Sequence, residues 1–187
     1  MNLNQVSIDV TTAVTLITDV TNDPTIAERF GDLDVWKELN MSIYNQILDD
    51  KECPVLSQIS ELICDKKWVM VKSAYDKFIE LIETNGSDQE KKRMNELKLK
   101  LTIIDSNPSK RFNKLKKTKL WSEINIDVFG TSDKYGLYTI TGNIKLAKYM
   151  HDYMNNVNFI YHAHRPRCFV GIKYDDKMND LKNNKQN

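Results

Sequence analysis

The chain has 187 residues, enough for one hydrophobic core, and its 41% hydrophobic and 28% charged residues are typical of a globular protein. The formal net charge of +1 excludes a global field that attracts nucleic acid or anionic membranes, so such attraction needs a local patch. We expect neither a secretory signal nor a membrane span, because no suitable apolar stretch is present. An odd number of widely spaced cysteines argues against a disulfide framework and for the cytoplasm or the nucleus.

Segments with strand periodicity and segments with helical spacing alternate along the chain. In the first half we predict strand 6–10, helix 11–20, helix 34–48, helix 55–64, strand 68–71 and helix 73–83. In the second half we predict helix 88–98, strand 99–104, helix 109–119, strand 124–129, strand 137–141, helix 144–154 and strand 157–161. Ser87 and Glu90 predict a capping box at the start of helix 88–98.

Strands that are separated by helices need crossover connections. The sequence therefore predicts an α/β fold, with a mainly parallel central sheet flanked by helices on both faces. We expect one domain over residues 1–173, followed by a polar, disordered tail at 174–187. In such folds the chemistry collects beyond the carboxyl ends of the strands, so acids at these ends identify the candidate site.

Four polar residues satisfy this criterion. Asp9 lies near the end of the first strand, Asp133 and Asn143 each follow a later predicted strand, and Asp76 lies one turn into a following helix. Converging carboxylates there would bind Mg²⁺ or Mn²⁺, because these cations prefer oxygen ligands. Such a site activates water and neutralises a phosphodiester during in-line attack.

Each of these residues also has a purely structural interpretation. Asp9 precedes two threonines and is suited to cap a helix, and Asp133 is suited to a cap or a turn. Asp76 fits a solvated helix position. Asn143 fits an N-cap, and its neutral amide is a poor substitute for a metal-binding carboxylate.

The same residues carry a family resemblance. Ser7-Ile8-Asp9-Val10-Thr11-Thr12 resembles the opening motif of a eukaryotic PIN-like family of unknown function, the DUF-1308 type. Phe129-Gly130-Thr131-Ser132-Asp133, Ile140-Thr141-Gly142-Asn143 and His164-Arg165-Pro166-Arg167 resemble that family's Phe-Gly-Thr-Gly-Asp, Met-Thr-Ala-Asn and His-Gln-Pro-Arg segments. The individual motifs are short, but their order and spacing are similar over residues 6–169.

PIN domains resemble one another in using three or four acids that hold a divalent metal and hydrolyse RNA. By this resemblance Asp9 matches the first acid, Asp133 the third and Asn143 the fourth. The second acid is open: Asp76 matches best, and Glu80 lies one turn further on. Asparagine at the fourth position removes a charge, so one metal held by two or three carboxylates is favoured over two metals.

A run of cations at residues 110–119 is the sharpest charge feature of the sequence. Helical spacing would gather several of these cations on one surface, which would then track the phosphates of RNA. The cations of this run that we expect to contact RNA are Lys110, Arg111, Lys114, Lys116 and Lys117. Beyond the last predicted strand, Arg165 and Arg167 are suited to fork onto phosphate oxygens. The alternative for the run is a solvated helix face.

The leading hypothesis is a PIN-like, Mg²⁺- or Mn²⁺-dependent endoribonuclease. Asp9 and Asp133 would hold the metal with help from Asp76, and Asn143 would orient water or a phosphate. The second hypothesis is a catalytically inactive PIN-like module that binds RNA or a protein partner. A third, an unrelated α/β protein whose acids only cap helices, predicts that Asp9 and Asp133 lie far apart.

Overall fold

A computed structural model of the chain describes residues 2–29, 33–154, 156–171 and 174. The strands are β1 (Asn2–Ile8), β2 (Lys67–Val71), β3 (Leu101–Ile104), β4 (Leu137–Thr141) and β5 (Tyr161–Ala163). The helices are α1 (Val10–Ile17), α2 (Asp19–Asn22), α3 (Leu33–Leu39), α4 (Met41–Glu52), α5 (Val55–Ile63), α6 (Lys72–Asn85), α7 (Asp88–Lys98), α8 (Lys110–Asn113), α9 (Glu123–Tyr135) and α10 (Ile144–Tyr153). Within these ranges no helix is long and apolar enough to cross a membrane.

The five strands form one parallel sheet in the order β3-β2-β1-β4-β5. The chain moves outward from β1 to β3, crosses back to β4 and then moves outward to β5. Because such crossovers are right-handed, the connections that contain α1 to α7 lie on one side of the sheet, and those that contain α8 to α10 lie on the other. The predicted α/β fold with a parallel sheet between two helical layers is therefore confirmed.

The strand order reverses between β1 and β4, and this switch point determines where a ligand site can form. Ser7 of β1 is in register with Val69 of β2 and with Thr139 of β4. Two residues further on, Asp9 therefore lies between the ends of β2 and β4. We call this end of the sheet, where all five strands finish, the carboxyl edge.

The core has two parts. The larger part packs both faces of the sheet against the helices, with Ile8 of β1 and Phe78 of α6 fully buried. The smaller part surrounds Trp36, whose indole N–H donates to the Ile26 carbonyl at 2.8 Å. Tyr174 is buried in this second part, with its ring 5.7 Å from that of Trp36. The remainder of the predicted tail, residues 175–187, lies outside the described residues.

The predicted strand 124–129 is wrong, because these residues belong to α9. The alternation of apolar residues there has the strand period, but Ser122 caps a helix by accepting a hydrogen bond from the Asn125 N–H at 3.3 Å. Gly130, which we interpreted as the end of a strand, lies inside α9. A Cβ at this position would come within 2.4 Å of the Pro108 side chain, so glycine permits close packing here.

Several other predicted elements have different bounds: strand 6–10 is observed at Asn2–Ile8, helix 11–20 is divided at Thr18, and strand 99–104 begins at Leu101. The predicted helix 109–119 is wrong beyond α8, since the chain is irregular from Lys114 to Trp121. Asn40 divides the predicted helix 34–48, because its side chain accepts from the first amides of α4 and caps that helix. The last strand begins at Tyr161, later than predicted. The capping box at Ser87 is confirmed.

The core assignment predicts unequal costs for two isoleucine substitutions in helices. Ile82 of α6 is fully buried, whereas Ile144 of α10 is 47% exposed. Ile82→Ala should lower the free energy of unfolding by about 2–5 kcal/mol, since it removes buried methyl groups and leaves a cavity. Ile144→Ala should change it by less than about 0.5 kcal/mol. Urea denaturation measures both, and equal losses would contradict the core assignment.

Candidate functional site

Asp9 lies at the switch point and joins three segments of the chain. Its carboxylate accepts hydrogen bonds from the Thr12 N–H at 2.7 Å, the Thr11 hydroxyl at 2.8 Å and the Thr141 hydroxyl at 2.6 Å. The first of these bonds caps α1, so the predicted capping role is confirmed. The Thr141 bond ties the end of β1 to the end of β4. Asp9 therefore caps α1 and also lies at the switch point between β1 and β4, where parallel α/β folds bind ligands.

Asn143 lies next to Asp9 through the same threonine. Its N–H donates to the Thr141 hydroxyl at 2.9 Å, and its side-chain carbonyl accepts from the Leu146 N–H at 3.2 Å. It thus caps α10, as predicted. The structure brings Asp9 and Asn143 together at the carboxyl edge.

Asp133 lies at the other end of the sheet, and its predicted position after a strand is wrong. It belongs to the last turn of α9, which leads through Gly136 into the first residue of β4. Asp9 lies beyond the last residues of β1 and β4. The two acids are therefore separated by roughly the length of β4, about 15 Å. The structure does not bring Asp133 to Asp9, because 124–129 is part of a helix and not a strand.

The surroundings of Asp133 explain its burial. The Arg111 guanidinium forms an ion pair with it, the Asn158 N–H donates to it at 2.8 Å, and the Ser109 hydroxyl donates as well. Burial alone would raise the pKa of Asp133, but the bonds from Arg111, Asn158 and Ser109 together hold that pKa below its ordinary value. Arg111, which we predicted to contact RNA, is thus committed to this ion pair.

Asp76 and Glu80 do not supply a second acid for the site. Asp76 lies on α6 in a surface ion pair, with its carboxylate 2.5 Å from the Lys72 ammonium and both side chains 56% exposed. Glu80 pairs in the same way with Lys77 at 2.7 Å. Both acids are solvated helix residues, in agreement with the structural interpretation of Asp76.

Two acids near the carboxyl edge were missed in the sequence analysis: Asp105, which is exposed and directly follows β3, and Asp127. Asp127 lies in the second turn of α9 and accepts from the Ser73 hydroxyl at 2.7 Å and the Ser106 hydroxyl at 2.5 Å. Ser73 comes two residues after β2, and Ser106 comes two residues after β3. Because β2 is the neighbour of β1, Asp127 is brought to the same edge of the sheet as Asp9. Ser122 as an N-cap was the available signal, since it predicts α9.

Asp9 and Asp127, which we call the edge acids, differ from most other bonded acids in their partners. Within the described part of the chain their hydrogen bonds come only from hydroxyl and amide groups, and neither forms an ion pair there. The acids that do pair with a cation are Asp19, Asp23, Asp49, Asp50, Asp76, Glu80, Glu123 and Asp133. Among the residues that the structure describes, no protein cation therefore pairs with either edge acid.

The oxygen donors at the carboxyl edge suit a hard cation. They include the two edge acids, the hydroxyls of Ser106 and Thr141, and the amide of Asn143. Across residues 2–29, 33–154, 156–171 and 174, no three His, Cys, Asp or Glu side chains form a group that could hold a metal. A cation here would therefore be held by two carboxylates with neutral oxygens and water, as is common for Mg²⁺.

His164 is buried next to Thr12, the residue whose N–H donates to Asp9. Its Nε2 lies 2.9 Å from the Thr12 hydroxyl and its Nδ1 lies 3.0 Å from the Arg165 carbonyl oxygen. Burial lowers the pKa of His164, which favours the neutral ring. The Arg165 carbonyl accepts from a protonated Nδ1, and the Thr12 hydroxyl, which donates to the Ile140 carbonyl at 2.9 Å, lies within hydrogen-bond distance of Nε2. His164 supports the segment that holds Asp9.

Some of the remaining cations that we predicted to contact RNA form ion pairs with acids of the protein, and others are exposed. Arg165 forms an ion pair with Asp49, and the buried Arg167 forms one with Asp50 at 3.0 Å, so both guanidinium groups hold the segment after β5 against α4. Lys117 lies 3.0 Å from Glu123. The other predicted lysines, Lys110, Lys114 and Lys116, are exposed.

The profile of one family, described as a protein of unknown function (DUF1308), matches residues 6–176. The chain belongs to the DUF1308 family. This match covers the whole sheet from Val6 onward and both edge acids, and it confirms the family resemblance seen in the sequence. No solved structure matches this DUF1308 chain.

The ion pair at the amino end of the sheet should be structural. Arg111→Ala leaves the Asp133 carboxylate buried without its cation. Such a loss costs about 3 kcal/mol, the lower end of the range for a broken buried pair, since the Arg111 side chain is 36% exposed. Lys72→Ala breaks the exposed pair with Asp76 and should cost less than about 1 kcal/mol. Equal losses in chemical denaturation would contradict the role of Arg111.

His164 should make stability depend on pH. Its folded pKa lies below 6.5, so the unfolded chain binds more protons just below that pH. The contribution of neutral His164 is complete above about 6.5 and is lost as the pH falls through the folded pKa. His164→Gln should flatten the dependence of the melting temperature on pH, whereas His151→Gln, at an exposed position, should not. An unchanged slope in His164→Gln would contradict this assignment.

Proposed function

We propose that this DUF1308 chain is a PIN-like hydrolase that cuts single-stranded RNA with one Mg²⁺ or Mn²⁺. The proposed site is the carboxyl edge between Asp9 and Asp127. The observation that carries the proposal is the pair of edge acids, which come from separate segments and lack a protein cation within the described residues. Asp9 keeps the role expected from the sequence, and Asp127 takes the place expected for Asp133.

The donor set fits the expected cation. Mg²⁺ and Mn²⁺ prefer oxygen ligands, and Mg²⁺ is commonly bound by one or two carboxylates together with waters and substrate phosphates. The hydroxyls of Thr141 and Ser106 can rotate, so they can turn away from the carboxylates when a cation approaches. When bound, the cation would supply positive charge for the phosphodiester and acidify water.

The protein groups around the edge acids have separable roles. The Thr12 N–H and the Thr141 hydroxyl fix the orientation of the Asp9 carboxylate, and the Ser73 hydroxyl does the same for Asp127. The Asn143 side chain is neutral and offers amide N–H donors to a phosphate oxygen. Because Asn143 begins α10, the positive end of that helix dipole also faces an incoming phosphate.

A second candidate is RNA binding without cleavage. The observation that favours it is the saturation of Asp9, whose two oxygens already accept from three donors. The neutral Asn143 in place of a fourth acid points in the same direction. In this case the edge acids would hold the strand ends together, and the exposed lysines would bind RNA.

A cleavage assay with Mn²⁺ and end-labelled single-stranded RNA tests the proposal. Asp9→Asn and Asp127→Asn should each lower the rate by about a hundredfold or more, the usual effect of removing a charge-stabilising group from an active site. Asparagine is as good an N-cap as aspartate, so Asp9→Asn should keep α1 intact. Asp76→Asn is the matched control, since it removes an exposed acid from α6, and it should cleave like the wild type.

The outcomes separate the candidates. Equal activity in all four proteins would indicate a contaminating nuclease and would contradict the assignment of the edge acids. Absence of cleavage in the wild type, with RNA still bound in EDTA, would support the non-catalytic module. A melting temperature for each variant checks that the fold is retained.

A further inference from the structure

Four aromatic rings form a ladder from the core to the surface. Phe112 contacts Trp121 with ring centroids 5.6 Å apart, Trp121 contacts Tyr149 at 5.8 Å, and Tyr149 contacts Tyr153 at 5.0 Å. Phe112 and Trp121 are buried, Tyr149 is half-buried and Tyr153 is 74% exposed. The outermost ring is thus supported by the ladder from within and open to solvent outside.

Lysines share a helix face with the outer rings of this ladder. Lys145, Lys148, Tyr149 and Tyr153 lie three, four and eight residues apart on α10, so they share one face of that helix. The Thr118 N–H donates to the Trp121 carbonyl at 3.1 Å, and the Trp121 N–H donates to the Thr118 hydroxyl at 3.0 Å. This tight turn presents Lys119 to solvent beside the ladder.

The charge of these lysines is not balanced locally. In the described ranges, Lys116, Lys119, Lys145 and Lys148 form no ion pair, whereas neighbouring Lys117 is paired with Glu123. One acid, Asp152, lies on the same face of α10, four residues after Lys148. A local excess of positive charge therefore stands on a chain whose formal net charge is only +1.

We infer that Lys116, Lys119, Lys145, Lys148 and Tyr153, which we call the α10 platform, bind single-stranded RNA. A base stacks on the exposed Tyr153 ring and the lysines contact the phosphates on either side. Stacking on an aromatic ring requires an unpaired base, and the lysines supply point charges for a polyanion. A base-paired helix cannot offer a free base face to Tyr153.

The α10 platform lies along a helix that begins at the carboxyl edge. α10 begins next to Asn143 at that edge and ends at Tyr153, about 15 Å away along the helix axis. A strand that lies along α10 therefore leads from Tyr153 to the edge acids. This choice of RNA as the ligand rests on the proposed function, but binding does not require a metal and is measured separately from cleavage.

Fluorescence anisotropy with a short labelled oligouridine, in EDTA, tests the α10 platform. The wild type should bind at low salt and more weakly as salt rises. Tyr153→Ala should weaken binding about tenfold, whereas Tyr153→Phe, which keeps the ring, should bind like the wild type. The double variant Lys116→Glu/Lys119→Glu should weaken binding and lower the salt slope by about 0.7 for each phosphate that the protein no longer binds.

Matched controls make the result decisive. Tyr135→Ala removes another exposed tyrosine. The double variant Lys51→Glu/Lys92→Glu changes the net charge by the same amount as Lys116→Glu/Lys119→Glu, but on α4 and α7. Both control variants should bind RNA like the wild type. An RNA duplex of the same length should bind more weakly than the single strand. Wild-type affinity in Tyr153→Ala, or no RNA binding by the wild type at low salt, would overturn the inference. Loss of cleavage in Asp9→Asn with RNA binding intact would leave it standing.

Discussion

The hydrogen bond from the Thr141 hydroxyl to the Asp9 carboxylate is the contact on which the site depends. It joins the ends of β1 and β4 where the strand order reverses, which is the position where parallel α/β folds bind ligands. The same hydroxyl accepts from the Asn143 N–H, which positions the start of α10. On the other side of β1, the serines that follow β2 and β3 hold Asp127. One row of short polar side chains thus fixes the whole carboxyl edge.

The buried acids at the two ends of the sheet differ in whether a cation of the protein pairs with them. At the amino end, Asp133 is neutralised by Arg111, which makes it a structural group that stabilises the contact between α8 and α9. At the carboxyl edge, Asp9 is buried and, within the described part of the chain, receives hydrogen bonds only from neutral donors, which stabilise a carboxylate without pairing it with a cation. A carboxylate in the second condition attracts a cation, and one in the first does not. The buried Glu90 of α7 also receives only neutral donors among the described residues, so what distinguishes Asp9 and Asp127 is this condition together with their position at the carboxyl edge.

Much of the fold could be predicted from local signals. The bounds of β4, the capping box at Ser87 and the position of Asp9 all follow from patterns within a few residues. The strand predicted over 124–129 failed because its alternating apolar residues mimic strand periodicity, while the helix is fixed by the Ser122 cap and by packing of Gly130 on Pro108. That error hid Asp127. Long-range pairings such as Arg111 with Asp133 and Arg167 with Asp50 have no local signal, so their cations looked free for RNA.

Paramagnetic line broadening by Mn²⁺ in amide NMR spectra tests the central claim, that the two edge acids form one cation site. At Mn²⁺ concentrations below that of the protein, the amide signals of Val10, Ser73 and Gly142 should broaden first, because these residues adjoin Asp9 and Asp127. Asp9→Asn should abolish this selective broadening. Broadening that begins around Asp76 or Asp133, or that spreads evenly over surface acids, would contradict the account.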